Sequence, residues 1–319
     1  MTTAHPSTAS TLRSLLGTAA SPELVLQRRY RAAPGEVLAA CTDLERLAQW
    51  FGQVDGGPAA VGDAFTVRFR DAEDLPAAGE VLACAAEGLS ISWSWQGEAE
   101  SVISVRVTAA GEGGSELTLL HVLSEPDHVA GYGGGWELQL ESLARHLADA
   151  PSSPDAEDGT EAQDRVEAEQ HAVAIWEAMT TRPLEIRWHI PADLDRVWAA
   201  LATTDGLTPW WWGHFPFVTI DADAAPGASY RITAPSAGIE LEGTYLIVAR
   251  PRRLSATWHW SEAGITSQDE AVDIALDPGD PGTVITLRHT GPWTDDQAPE
   301  NYRQAWHTTL AGLESALLP

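Results

Sequence analysis

The stretch Leu89-Ser90-Ile91-Ser92-Trp93-Ser94-Trp95 returns 165 residues later as Leu254-Ser255-Ala256-Thr257-Trp258-His259-Trp260. Side chains along a strand point to alternate faces, so both indoles of each copy share one face. A period this long is several times a solenoid unit and corresponds to a whole domain. The chain therefore reads as a duplication. Leu24, Leu26 and Tyr30 alternate with polar residues, and Leu184, Ile186, Trp188 and Ile190 do the same at an offset of 160. Helical spacing follows in both halves, in Pro34 to Cys41 and in Leu194 to Leu201. Leu47…Trp50-Phe51 then matches Leu207…Trp210-Trp211.

Strand runs come next in both copies. Gly62 to Phe69 matches Gly227 to Thr233, and Gly79 to Ala85 matches Gly243 to Ala249, each leading into its tryptophan strand. Val102 to Thr108 and Leu117 to His121 form a hairpin across a Gly-rich turn. Val272 to Leu276 and Ile285 to His289 form its counterpart. Each half closes on an amphipathic helix, with Trp136, Leu140, Leu143 and Leu147 in one and Trp306, Leu310, Leu313 and Leu317 in the other.

The order predicts an α+β protein of two tandem domains, each a curved antiparallel sheet wrapped around a long C-terminal helix, with two short helices after the first strand. The expected boundaries are a flexible N-terminal arm over 1–21, domain 1 over 22–150, an acidic linker with a helix over 151–181, and domain 2 over 182–319. Asp155 to Glu169 carries seven acids against one arginine, and Thr160-Glu161-Ala162-Gln163 has capping-box spacing.

Composition narrows the function. The formal charge is −27, and all 19 basic residues are arginine. Such a surface repels a phosphate backbone, so nucleic acid is excluded as a partner. No apolar run approaches the ~18–20 residues a spanning helix needs, so no membrane insertion is expected. The first twenty residues lack a basic region followed by an apolar core, which makes the expected location cytoplasmic. Cys41 and Cys84 sit in hydrophobic patterns and read as buried thiols.

Pro34-Gly35-Glu36-Val37 through Trp50-Phe51, the two Leu-Ser-x-x-Trp-x-Trp strands, the Thr-x-x-His strand ends and the Trp-led closing helices resemble the SRPBCC (START-like, helix-grip) superfamily. Within it they are similar to the C-terminal domain of the heat-shock-protein-90 ATPase activator. That resemblance implies a cavity between sheet and helix. It covers about residues 22–150 and 182–319.

On this basis the expected function is non-catalytic binding of small hydrophobic molecules. Trp93, Trp95 and Trp136 line one interior, and Trp258, Trp260 and Trp306 the other. His121 and His289 stand near the rims, and Tyr245 is a candidate pocket hydroxyl. Both histidines are placed to orient a ligand carbonyl or carry a proton. A hydrogen-bonded structural role is the simpler account, because the residue recurs in both copies. The tryptophans fill a core as readily as they line a cavity, at ~25 cal/mol per Å² buried.

Trp210-Trp211-Trp212 is assigned to interdomain packing, and Arg231, Arg252, Arg253 and Arg288 to the surface. No metal-ligand spacing, nucleophile motif, P-loop or dinucleotide fingerprint is present, so no cofactor and no metal are expected. Two alternatives stand beside carriage: a polyketide cyclase or dehydratase-like enzyme, and a chaperone-partner or stress-response interaction protein. The latter would need a protein partner.

Overall fold

The computed structural model describes residues 11–57, 60–69, 75–95, 97–111, 113–148 and 159–318, with side chains in the last segment from 163 onward. The chain divides into two compact units. Thr18–Glu177 belongs to the first, and Ser14–Gly17 with Ala178–Pro319 forms the second. Each contains the same succession of elements.

In the first unit β2 (Pro22–Tyr30) leads into α1 (Pro34–Thr42) and α2 (Leu44–Trp50). Strands β3 (Gln53–Gly56), β4 (Ala64–Arg68), β5 (Ala77–Ala85), β6 (Gly88–Trp95), β7 (Ser101–Ala110) and β8 (Gly114–Val122) follow. The long helix α3 (Val129–Leu147) closes the succession. The strands lie in the order β2-β8-β7-β6-β5-β4-β3, and every pairing is antiparallel.

The second unit repeats this with β9 (Leu184–Ile190), α5 (Leu194–Ala202) and α6 (Thr204–Leu207). Then come β10 (Thr219–Asp221), β11 (Ser229–Ala234), β12 (Ile239–Ala249) and β13 (Arg253–Glu262). They are followed by β14 (Ile265–Thr266), β15 (Glu270–Gly279), β16 (Gly282–Thr290) and α7 (Gln297–Leu317). Its order is β10-β11-β12-β13-β15-β16-β9, with β14 paired to β13. This is the α+β, tandem helix-grip arrangement expected.

Local chemistry explains the elements. Pro34 opens α1, where its missing N–H costs nothing. The Asp43 carboxylate caps α2 through the backbone N–H groups of Glu45 and Arg46, and Asp193 caps α5 through that of Arg196. A register shift interrupts the β5–β6 ladder between Val81 and Ala83. Its counterpart lies between Tyr245 and Ile247 in β12–β13. An extra residue on one strand bends it and tightens the twist, which curves both sheets at the same place. The inner faces close on the helix stripes, where Trp136, Leu140 and Leu143 are buried in one unit and Trp306, Leu310, Leu313 and Leu317 in the other.

Three expectations differ from the structure. A strand, β1 (Leu12–Gly17), lies inside the segment read as a flexible arm, because its Leu15 and Leu16 are buried. The helix after the acidic segment, α4 (Gly159–Thr181), begins before Thr160, so Thr160 is not its cap. Cys84 is exposed near the end of β5 rather than buried, since its face of that strand turns outward.

Within the first unit α4 docks on α3. Trp176 is buried, and its indole N–H donates to Glu137 at 2.8 Å; the same carboxylate oxygen accepts from Arg13 at 2.7 Å. A Cβ at Gly133 would lie 2.4 Å from the Trp176 ring, and one at Gly134 would lie 2.7 Å from Val173. The two glycines are what allow the helices to approach. Gly135 has nothing within 4 Å of such a Cβ. Gly133→Ala is therefore expected to destabilise by about 1–3 kcal/mol, whereas Gly135→Ala is expected to stabilise by up to ~1 kcal/mol through helix propensity. Urea denaturation of the two variants checks the sign of each.

Candidate functional site

Each domain interior is an aromatic cluster gripped between the tryptophan strand and the closing helix. In the first, Phe51 at the end of α2 stacks on Trp136 with centroids 6.1 Å apart. Trp93 lies 6.3 Å from Phe51, Phe69 and Trp136, and 6.1 Å from Trp95. In the second, Trp258 sits 5.1 Å from Trp306 and 6.3 Å from Trp211, which is itself 6.0 Å from Trp306. Trp260, half-buried, meets the Trp212 ring edge-on at 5.5 Å.

His121 is wholly buried beneath this cluster rather than at a rim. The Trp136 indole N–H donates to its Nδ1 at 3.0 Å. An indole is a donor only, so Nδ1 carries no proton and Nε2 does. That Nε2–H donates to Ser101 Oγ at 2.9 Å, and Ser101 in turn donates to the Trp93 carbonyl at 3.0 Å. Every polar atom of this chain is used, and burial pushes the imidazole down to about 3. His121 is a neutral structural pin.

His289 is buried in the same way, and Trp306 donates to its Nδ1 at 3.2 Å, which again places the proton on Nε2. Burial pushes this imidazole also to about 3. Here the copies part. Ser101 faces Trp93 across β6–β7, and the residue that faces Trp258 across β13–β15 is Glu270. Its carboxylate, buried, accepts from the Trp293 indole at 2.8 Å and from the Tyr302 hydroxyl at 2.6 Å. Burial raises its pKa by more than these hydrogen bonds lower it. Glu270 Oε2 stands 3.8 Å from His289 Nε2, beyond hydrogen-bond reach, so that N–H has no partner.

Four indole N–H groups share this condition. Trp93 and Trp95 Nε1 in the first domain, and Trp211 and Trp258 Nε1 in the second, are buried without a hydrogen-bond partner among the described residues. The Trp93 N–H faces the Tyr132 hydroxyl and the Trp258 N–H that of Tyr302, both outside good geometry. Native interiors satisfy about nine in ten buried polar groups. Five orphan donors, two of them on the equivalent Trp93 and Trp258, are therefore a chemical feature of these interiors.

Other expectations are corrected. The Tyr245 hydroxyl is buried and donates to the Ala222 carbonyl at 3.0 Å. Trp210, Trp211 and Trp212 all pack within the second domain, and Trp210 Nε1 donates to the Gly206 carbonyl at 2.9 Å. Arg288 is buried and faces Glu185 at 3.9 Å, while Arg253 holds Asp273 through two hydrogen bonds of 2.9 and 2.7 Å. Among the described residues no cluster of three or more His, Cys, Asp or Glu could hold a metal ion. No described helix is long and apolar enough to cross a membrane.

The sequence pattern does not single out Glu270, Trp293, Tyr302, Phe51, Phe69 or Tyr132 as site residues. Aligning the repeats on their tryptophan strands sets Ser101 against Thr266, so only the strand register of the structure brings Glu270 to the place of Ser101. The buried histidines also carry a pH signature. Their folded pKa of about 3 lies below the ordinary histidine value of 6.5, so the unfolded chain binds the proton first as pH falls. Their contribution is complete above pH ~6.5 and is lost toward pH ~3, by up to ~1.4 kcal/mol per pH unit for each residue. NMR should show the His121 and His289 ring signals fixed between about pH 8 and pH 5 while exposed histidines shift.

The sequence pattern of the "Activator of Hsp90 ATPase homolog 1-like protein" family matches residues 31–148 and 191–317. No curated protein matches the chain. Among solved structures, CalU16 from Micromonospora echinospora in solution is 28% identical over 55% of this chain and 97% of that one, with a TM-score of 0.46. DynU16, a protein of the dynemicin biosynthetic locus, is 20% identical over 92% of this chain and 96% of that one, with a TM-score of 0.38. PFC0360w, an HSP90 activator from Plasmodium falciparum, is 17% identical over 32% of this chain and 72% of that one, with a TM-score of 0.28. The chain belongs to the activator of Hsp90 ATPase homolog 1-like family, within the SRPBCC superfamily, and carries its helix-grip domain twice.

Proposed function

We propose that the protein binds small, flat, mostly apolar molecules that carry a hydrogen-bond acceptor, inside its helix-grip domains. The observation that carries this is the set of buried donors without partners, namely Trp93, Trp95, Trp211 and Trp258 Nε1 with His289 Nε2. Donors alone call for an oxygen or a bare ring nitrogen, and the surrounding indole faces call for a planar apolar body. Affinity comes from apolar burial, and the N–H groups set orientation.

The aromatic rings make the domains their own reporters. Trp258→Phe keeps a ring against Trp306 and removes the N–H. In tryptophan-fluorescence titrations with aromatic ketones such as 1-tetralone, this variant should bind about 2- to 10-fold more weakly, the worth of one hydrogen bond. Unchanged affinity for every ketone bound by the wild type would overturn the assignment. The rival reading, an interaction protein using an exposed tryptophan patch, loses its basis because Trp210 and Trp211 are buried.

A further inference from the structure

The two interiors differ at one topological position, Ser101 in the first and Glu270 in the second, and the consequences are chemical. Ser101 completes a closed chain of hydrogen bonds and leaves His121 nothing to offer a ligand. Glu270 leaves His289 Nε2–H without a partner at 3.8 Å and introduces a buried carboxylate beside it. Two donors, on Trp293 and Tyr302, hold that carboxylate in place. A carboxylate has about four acceptor positions, so room is left for a reacting proton.

We propose that the second domain is a proton-transfer site for neutral carbonyl compounds, with Glu270 as the base and the N–H groups of His289 and Trp258 holding the carbonyl oxygen. The inference rests on the binding function proposed above and names its substrate class in one domain. The Glu270 carboxylate takes a proton from the carbon next to the carbonyl. The C–H electron pair becomes the new C=C bond, and the carbonyl π pair moves to oxygen as an enolate held by the two N–H groups. The same carboxyl returns the proton to that carbon or to a conjugated one. The outcome is exchange or isomerisation, nothing is oxidised, and no co-reactant is consumed.

The surroundings fit this role. Burial raises the Glu270 pKa and makes it a stronger base than an exposed glutamate, while His289 is held neutral. Half-exposed Tyr302, its hydroxyl 2.6 Å from the carboxylate, links it toward solvent and gives protons a route for exchange. A ligand carboxylate would meet the charge of Glu270, so the site selects neutral carbonyls.

Rings run from half-buried Trp260 through Trp212 and Trp211 to Trp258, at spacings of 5.5, 6.1 and 6.3 Å. Trp212 has a φ of 52°, a backbone conformation uncommon for a bulky residue and of a kind that collects at working sites.

The test follows the α-protons of 1-tetralone by NMR in D2O with the full-length protein, and reads binding in the same samples by tryptophan quenching. The wild type should accelerate exchange on the order of 100-fold over buffer, the usual scale of a positioned base. Glu270→Gln should bind and fall to the buffer rate. Glu270→Ser, which installs the residue of the first domain, should do the same if the amide variant does not fold. Binding without faster exchange in the wild type overturns this inference and leaves the binding function standing. Exchange that survives in a folded Glu270 variant removes Glu270 as the base. Absence of binding by 1-tetralone and its indanone and anthrone relatives overturns both.

Discussion

One hydrogen bond, made twice, organises each domain. The first tryptophan of the closing helix stripe donates its indole N–H to a sheet histidine, Trp136 to His121 and Trp306 to His289. Because the indole can only donate, the bond selects the histidine tautomer and turns the other ring nitrogen into a donor aimed at the sheet. It also sets the height of the helix over the strands, since both partners are buried and neither has water to fall back on. A neutral, desolvated imidazole follows from the same burial. The aromatic cluster, the stripe contacts and the orphan N–H groups are arranged around this pin.

Duplication leaves one copy free to change while the other keeps the fold. In the first domain the pin ends on a serine, and the polar chain closes on the Trp93 carbonyl. In the second, a glutamate at the same place gathers the Trp293 and Tyr302 donors and leaves the histidine N–H open. A buried carboxylate is costly unless it is hydrogen-bonded, and two donors offset that cost. The difference turns a closed structural network into a polar site within an apolar cluster.

The glycine run Gly133-Gly134-Gly135 belongs to a separate constraint. Two of the three lack a side chain because Trp176 and Val173 of α4 occupy that space. The second closing helix has Arg303-Gln304-Ala305 at the corresponding place before its tryptophan. The run is thus a docking surface for a helix within the first domain.

Periodicity determined most of the architecture. The paired Trp-x-Trp strands, the stripes of the closing helices and the shared order of the two halves placed nearly every element, because local hydrophobic pattern sets helix and strand. The family resemblance rested on that order and is met by a match across both halves. Trp93, Trp136, Trp258 and Trp306 were legible as inward residues for the same reason.

What the pattern could not supply was the partner of each polar group. Tyr245 and Trp210 find backbone carbonyls, Arg288 is buried, and Glu270 stands beside a histidine nineteen positions away in sequence. Strand pairing and the path of the closing helix bring these groups together. Sequence determined which faces turn inward; tertiary structure alone decided which buried donors meet an acceptor, because hydrogen bonding depends on distances between segments that local pattern does not encode.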